Sequence, residues 1–118
     1  MTPTITAVLL VAAGGFVGGL ARWSLARILP AHPATLAANA LGSVILGVAV
    51  GSPGLIPLVV GTGVAGALST WSTLANQLAE LVEKRRWWEF ARYLTLTLAL
   101  CVVAAWRGTI WAQRIWGY

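Results

Sequence analysis

Four hydroxyls fall within five residues at Ser69, Thr70, Ser72 and Thr73, and Gly61, Gly63 and Gly66 precede them. In water such a stretch reads as a loop. Here it lies in the second half of a run, residues 28–79, that holds no Lys, Arg, Asp or Glu. In a bilayer it reads as a helix that breaks at mid-depth. Non-helical backbone there is tolerated only where protein buries it or where it lines a wet cavity. A break exposes carbonyls and amides, the groups from which membrane proteins build ion sites. The chemistry on offer is coordination of an ion.

Other polar residues stand out against the apolar background. Asn39 is the one carboxamide in its apolar segment. An unpaired amide in hydrocarbon costs several kcal/mol, so Asn39 faces protein or water. It is either an interhelical hydrogen bond or a donor to a passing ion. Tyr93, Thr97 and Cys101 are spaced four apart and share one helix face, as packing glue or as a pore wall. Arg22, near a membrane boundary, either snorkels to the interface or acts as a vestibule cation that draws anions. Gly14/Gly18 and Gly15/Gly19 are small-xxx-small pairs that let helix backbones approach closely, and Gly42 and Gly47 read the same way.

The elements that position these residues follow from composition. Of 118 residues, 58% are hydrophobic and 9% charged. Soluble domains carry about 25% charged residues, so this chain belongs in a membrane. The net charge of +5 does not indicate nucleic acid, because the charges cluster at the ends of apolar segments. The single Cys101 excludes an internal disulfide and a Cys-rich metal site. No metal-ligand cluster and no acid pair at depth suggest an enzyme, and no basic segment precedes the first apolar run as in a cleavable signal peptide.

A spanning helix needs about 20 residues. Four spans are predicted, at residues 5–23, 34–50, 55–83 and 87–106. Pro30, His32 and Pro33 make the first turn; Gly51, Ser52, Pro53 and Gly54 make the second. Trp87 and Trp88 open the fourth span, and Trp106, Trp111 and Trp116 close it as an aromatic belt. The expected fold is all-α, a single four-helix unit over residues 1–118 with the third helix broken.

With those residues in view, the chain resembles the Fluc (CrcB) family of bacterial fluoride channels. Gly14-Gly-Phe-Val-Gly-Gly-Leu-Ala-Arg22 is similar to the family's GGxxGxxxR pattern, and residues 35–47, from Thr35 through Asn39 and Gly42 to Gly47, to its TLxxNxxGxxxxG. Gly66-Ala-Leu-Ser-Thr-Trp-Ser-Thr-Leu74 is similar to its GGxTTFSTF, and the Tyr93, Thr97, Cys101 spacing to its fourth-helix polar track. The resemblance implies an antiparallel dimer in the bacterial inner membrane, with two fluoride pores along the interface. It implies a structural Na+ at the centre, held by the backbone carbonyls of Gly66 and Ser69. Asn39, Trp71, Leu74, Tyr93, Thr97 and Cys101 would then line the pore, with Arg22 in the vestibule. Trp71 and Leu74 stand where the family has phenylalanines, Gln77 where many members have a glutamate, and Cys101 where the family has a hydroxyl.

Two other functions are open to a chain of this size. A small dual-topology drug exporter needs a membrane-embedded acid in its first span, and this span has none. A non-conducting assembly partner would explain the glycine faces but not the hydroxyl-rich break. Orientation is legible from charge. One side of the membrane carries Arg22, Arg27, Lys84, Arg85, Arg86 and Arg92; the other, with both termini, carries Arg107 and Arg114. Basic residues near span ends stay cytoplasmic, so the termini are expected outside. So strong a bias predicts an oppositely oriented homologous subunit as the natural partner, a homodimer being the alternative.

Overall fold

Among the described residues of the computed structural model, 2–117, the regular structure is helical. Helix α1 spans Pro3–Ile28 and α2 spans Ala31–Val50. A π-helical stretch, Pro57–Ala65, runs into a single α-turn, Gly66–Leu68; together these form α3. Helix α4 spans Trp71–Glu83 and α5 spans Trp87–Trp116. Four stretches are long and apolar enough to cross a membrane: α1, α2, α3 with α4, and α5. The chain is thus built as a multi-pass membrane protein with its third span broken at residues 69–70.

Local chemistry sets the ends. Thr2 caps α1 by accepting from the Ile5 N–H at 3.2 Å, and Pro3 opens the helix. Its missing N–H is one that no helical partner would reach, and its fixed φ suits the first turn. Thr70 caps α4 by accepting from the Thr73 N–H at 3.2 Å. Gly117, at φ 77°, ends α5 in the left-handed region that glycine enters without strain.

Several expected boundaries move, and α1 runs on from its expected end at 23 to Ile28. The turn assigned to Pro30, His32 and Pro33 shrinks to Leu29 and Pro30, and α2 begins at Ala31. Pro33 stays inside the first turn of α2, where its absent N–H costs no helical bond. His32 is therefore on a helix, half-buried. The fourth helix also runs ten residues past its expected end at 106, to Trp116. At about 1.5 Å per residue its 30 residues cover ~45 Å, more than the ~30 Å hydrocarbon core. The extension packs back on α2, with the Trp116 Nε1–H donating to the Val48 carbonyl at 3.0 Å.

Helix α2 lies along α5, α1 along α3, and α2 also touches α3. Glycines make these approaches. A Cβ on Gly14 would collide with the Val59 carbonyl oxygen, and one on Gly18 with that of Val64. Gly47 and Gly108 face each other across α2 and α5, each Cβ position 3.0 Å from the other's Cα. The second glycine pair behaves differently: Gly15 and Gly19 have nothing within 4 Å of a Cβ. One face of α1 therefore packs inside the subunit and the adjacent face is left bare.

That contrast sets an outcome. Gly14→Leu and Gly108→Leu must displace backbone, and overpacking of this kind costs about 1–3 kcal/mol or more. Both variants should lose the monodisperse peak or melt at lower temperature in detergent, whereas Gly19→Ala should leave the subunit's melting temperature unchanged.

Candidate ion pathway

The break is organised by one side chain on another helix. Asn39, 8% exposed, projects from α2. Its Oδ1 accepts from the Thr70 N–H at 2.6 Å, and its Nδ2 donates to the Thr70 carbonyl at 3.2 Å. The carboxamide thus pairs with both polar groups of one peptide residue, as a neighbouring strand would. Gly42, one turn on, keeps the approach open; a Cβ there would sit 3.0 Å from the Ser69 Cβ.

This pairing has a consequence for Gly66. In a continuous α-helix the Thr70 N–H would reach the Gly66 carbonyl. Asn39 takes that donor instead. Ser69 spends both its N–H and its hydroxyl on the Ala65 carbonyl, at 3.0 and 2.9 Å. Among the described residues the carbonyls of Gly66 and Ser69 accept no hydrogen bond. Gly66 is also exposed. Two carbonyl oxygens are thus left without a donor at the break, groups of the kind from which broken membrane helices build ion sites.

Two cavities meet at the same residue. The larger, about 530 Å³, is a wedge between α1, α2 and α4, bordered by Gly19, Arg22, Thr35, Thr70, Thr73 and Gln77 among others. No carboxylate borders it. Arg22 enters no ion pair; among the described residues the one ion pair is Arg86 with Glu89 at 3.5 Å, on the surface. The second cavity, about 260 Å³, is lined by Asn39, Ser43, Ser69, Thr70, Trp71, Leu74, Thr97, Leu98 and Cys101. Thr70 borders both.

Counting spent hydrogens shows which donors remain. The Ser43 hydroxyl goes to the Asn39 carbonyl at 2.8 Å. The Thr97 hydroxyl is buried and has no partner, although a helical threonine commonly bonds back to the carbonyl four residues earlier. Asn39 keeps one N–H, since an amide nitrogen carries two. The Thr70 hydroxyl accepts from Thr73 and has no acceptor of its own. Asn39, Thr70 and Thr97, each with a hydrogen unspent inside the subunit, all border the second cavity. Trp71 is 76% exposed at its rim, and Cys101 is half-buried in its wall.

The nominated pore residues do not all share this cavity. Asn39, Trp71, Leu74, Thr97 and Cys101 line it; Tyr93 does not. Tyr93 is buried one turn away, its hydroxyl donating to Gln77 Oε1. Leu74, 4% exposed, packs with Leu81 and Tyr93 and presents only aliphatic surface. Two residues were not nominated from sequence. Ser43 stands one turn beyond Asn39, a spacing that marks it as a neighbour. Thr70 was legible only as one hydroxyl among four.

The family profile described as "CrcB-like protein, Camphor Resistance (CrcB)" matches residues 9–109. The chain belongs to this family. Its curated relatives include "Fluoride-specific ion channel FluC 2" of Corynebacterium diphtheriae, 42% identical over 92 residues, 78% of this chain and 88% of the relative. "Fluoride-specific ion channel FluC 1" of Geobacillus kaustophilus is 40% identical over 107 residues, 85% of this chain and 92% of the relative. "Fluoride-specific ion channel FluC" of a Sulfurovum species is 34% identical over 121 residues, covering 92% of this chain and 95% of the relative. The matched family region contains the break, both cavities and every nominated residue.

The Asn39 pairing is open to measurement. Asn39→Ala leaves a buried N–H and carbonyl of Thr70 unpaired, at about 1–3 kcal/mol each. Asn39→Asp keeps the acceptor but sets a carboxylate against the Thr70 carbonyl. Both should lower the melting temperature in detergent and speed hydrogen exchange at the Thr70 amide. Ser69→Ala, which removes a hydroxyl bonded within its own helix, should do neither.

Proposed function

We propose that this chain is one subunit of a fluoride channel that lets fluoride leave the cell passively, and that it is not an enzyme. The strongest support is the partnerless, buried Thr97 hydroxyl beside the residual donors of Asn39 and Thr70, in a chain whose relatives are named fluoride-specific ion channels. Fluoride is small and strongly hydrated. A pore must replace its water with several donors, none of which holds the ion too tightly. Neutral N–H and O–H groups do this, and the wedge with unpaired Arg22 and no carboxylate favours entry of an anion. The exporter alternative lacks support, since α1 carries no Asp or Glu.

One chain makes only half of such a pore. Trp71 is exposed at the cavity rim, and Gly66 is exposed at a polar break that cannot face lipid. A second, antiparallel subunit covers both. The Gly66 and Ser69 carbonyls of the two chains, four oxygens together, then hold a structural Na+ that is not transported. Leu74 offers the pore no ring edge, so the Trp71 indole carries the aromatic contribution of this chain. In the inner membrane, with membrane lipid around it, the charge bias puts the six-cation side in the cytoplasm and both termini outside. The natural partner is then a homologous subunit of opposite orientation.

Purified protein in liposomes should release fluoride and retain chloride. Thr97→Val keeps the shape and removes the free donor; it should slow fluoride efflux about tenfold, equivalent to ~1.4 kcal/mol on the barrier, with assembly intact. Equal fluoride and chloride release, or unchanged efflux from Thr97→Val, would refute the pathway.

Orientation is tested separately in cells. Reporter fusions at the C-terminus should give a periplasmic signal alone, and this chain without a homologue should give weak fluoride efflux. Equal periplasmic and cytoplasmic signals would rule out the fixed orientation.

A further inference from the structure

A groove of about 250 Å³ lies apart from the ion pathway, between the starts of α2 and α5. Its lining includes His32, Leu36, Glu89, Arg92, Tyr93 and Leu96. On α5 the groove takes positions 89, 92, 93 and 96, whereas the Asn39 cavity takes 97, 98 and 101. At 3.6 residues per turn these two sets centre more than a third of a turn apart. The groove therefore opens on a different face of α5 from the ion cavity. No residue of the break borders it.

The groove is polar at one end and apolar at the other. Leu36 follows His32 by four residues and Leu96 follows Arg92 by four, so each polar residue stands above a leucine on its own helix face. Trp87 and Trp88, exposed at the start of α5, mark the headgroup level at the polar end. The His32 ring stacks on that of Tyr93, with centroids 4.5 Å apart and planes 11° from parallel, and the Tyr93 hydroxyl is spent on Gln77. That leaves His32, Glu89 and Arg92 to meet a ligand. Arg86 holds Glu89 through Oε2 at 3.5 Å, so the other carboxylate oxygen stays open as an acceptor. Arg92 is exposed and enters no ion pair among the described residues. Its charge is left over, at the depth where lipid phosphates lie.

We infer that this groove binds an anionic phospholipid with a hydroxylated headgroup, of which phosphatidylglycerol is the simplest. Basic pockets between transmembrane helices recognise anionic headgroups in this way. The phosphodiester sits on Arg92 and on an N–H of His32, which an imidazole carries in either tautomer. The glycerol hydroxyls donate to Glu89, and one acyl chain runs over Leu36 and Leu96. A choline headgroup has no hydrogen to give Glu89, and its own cation offsets the phosphate charge that Arg92 attracts. Bound lipid then bridges α2 and α5 on the side away from the ion cavity.

The full chain in detergent micelles, titrated with dioleoylphosphatidylglycerol or dioleoylphosphatidylcholine, gives the affinity for each lipid by native mass spectrometry. No flux is needed. The glycerol lipid should bind more tightly than the choline lipid. Arg92→Gln should weaken it about fivefold, in line with the ~1 kcal/mol that one basic residue contributes near an anionic surface. Leu96→Trp fills the apolar end without touching a charge and should weaken it as well. Arg92 and Leu96 are both exposed, so neither change disturbs the subunit's packing. Arg107→Gln, which removes a cation from the far end of α5, should change nothing. Equal binding of the two lipids overturns the inference, as does unchanged binding in Arg92→Gln or in Leu96→Trp. An equal loss in Arg107→Gln would mean general surface attraction and also overturns it. Displacement of the lipid by free glycerol phosphate at the same concentration would reassign the site to a soluble anion.

Discussion

A backbone that leaves helical geometry inside a bilayer must find partners for its amides and carbonyls within the protein. Here that requirement falls on Asn39. Its carboxamide satisfies both the N–H and the carbonyl of Thr70, from a different helix. Without it, two buried polar groups would stand unpaired, at a cost that a small four-helix chain would not easily bear. With it, the break becomes a fixed feature of the fold. The diverted Thr70 N–H leaves the Gly66 carbonyl free, and Ser69, extended at the end of α3, leaves its carbonyl free as well. One side chain thus supports the structure and prepares an electronegative site in the same act.

The glycines serve this arrangement. Asn39 reaches Thr70 only because α2 approaches α3 closely at Gly42, and α3 is held from behind by α1 at Gly14 and Gly18. The wide π-helical turns of Pro57–Ala65 lie under that contact, with Gly63 against Gly14. On the far side, Gly47 and Gly108 bring α5 against α2. Thr97 on α5 consequently faces the cavity that Asn39 opens. Van der Waals contact between backbones does the work that apolar burial does in soluble proteins, because lipid tails are as apolar as leucine.

Acceptors and donors are sorted to different places around the break. Freed carbonyls lie at the break, and Asn39, Thr70 and Thr97, which keep unspent hydrogens, border the neighbouring cavity. Arg22 borders the larger wedge, and Thr70 is common to both spaces.

Much of this was written in the chain. The uncharged run from residue 28 to 79 fixed a membrane-embedded protein, and the Gly, Ser and Thr cluster located the break. The lone amide at Asn39 announced a polar site, and the Tyr93, Thr97, Cys101 spacing placed a polar stripe on one helix face. These signals are local: composition and period depend on residues near in sequence. What three dimensions alone decided was pairing. Asn39 and Thr70 are 31 residues apart, and no period links them. The stripe on α5 divides between two environments because α4 crosses it, so Gln77 takes the Tyr93 hydroxyl and leaves that of Thr97 free. His32 read as a turn because prolines flank it, yet a proline inside a helix's first turn breaks no bond, and the ring came to rest on Tyr93. Of two equivalent glycine pairs, α3 covers only Gly14/Gly18. Sequence sets which groups need a partner; the packing of helices distant in the chain decides which partner each one finds.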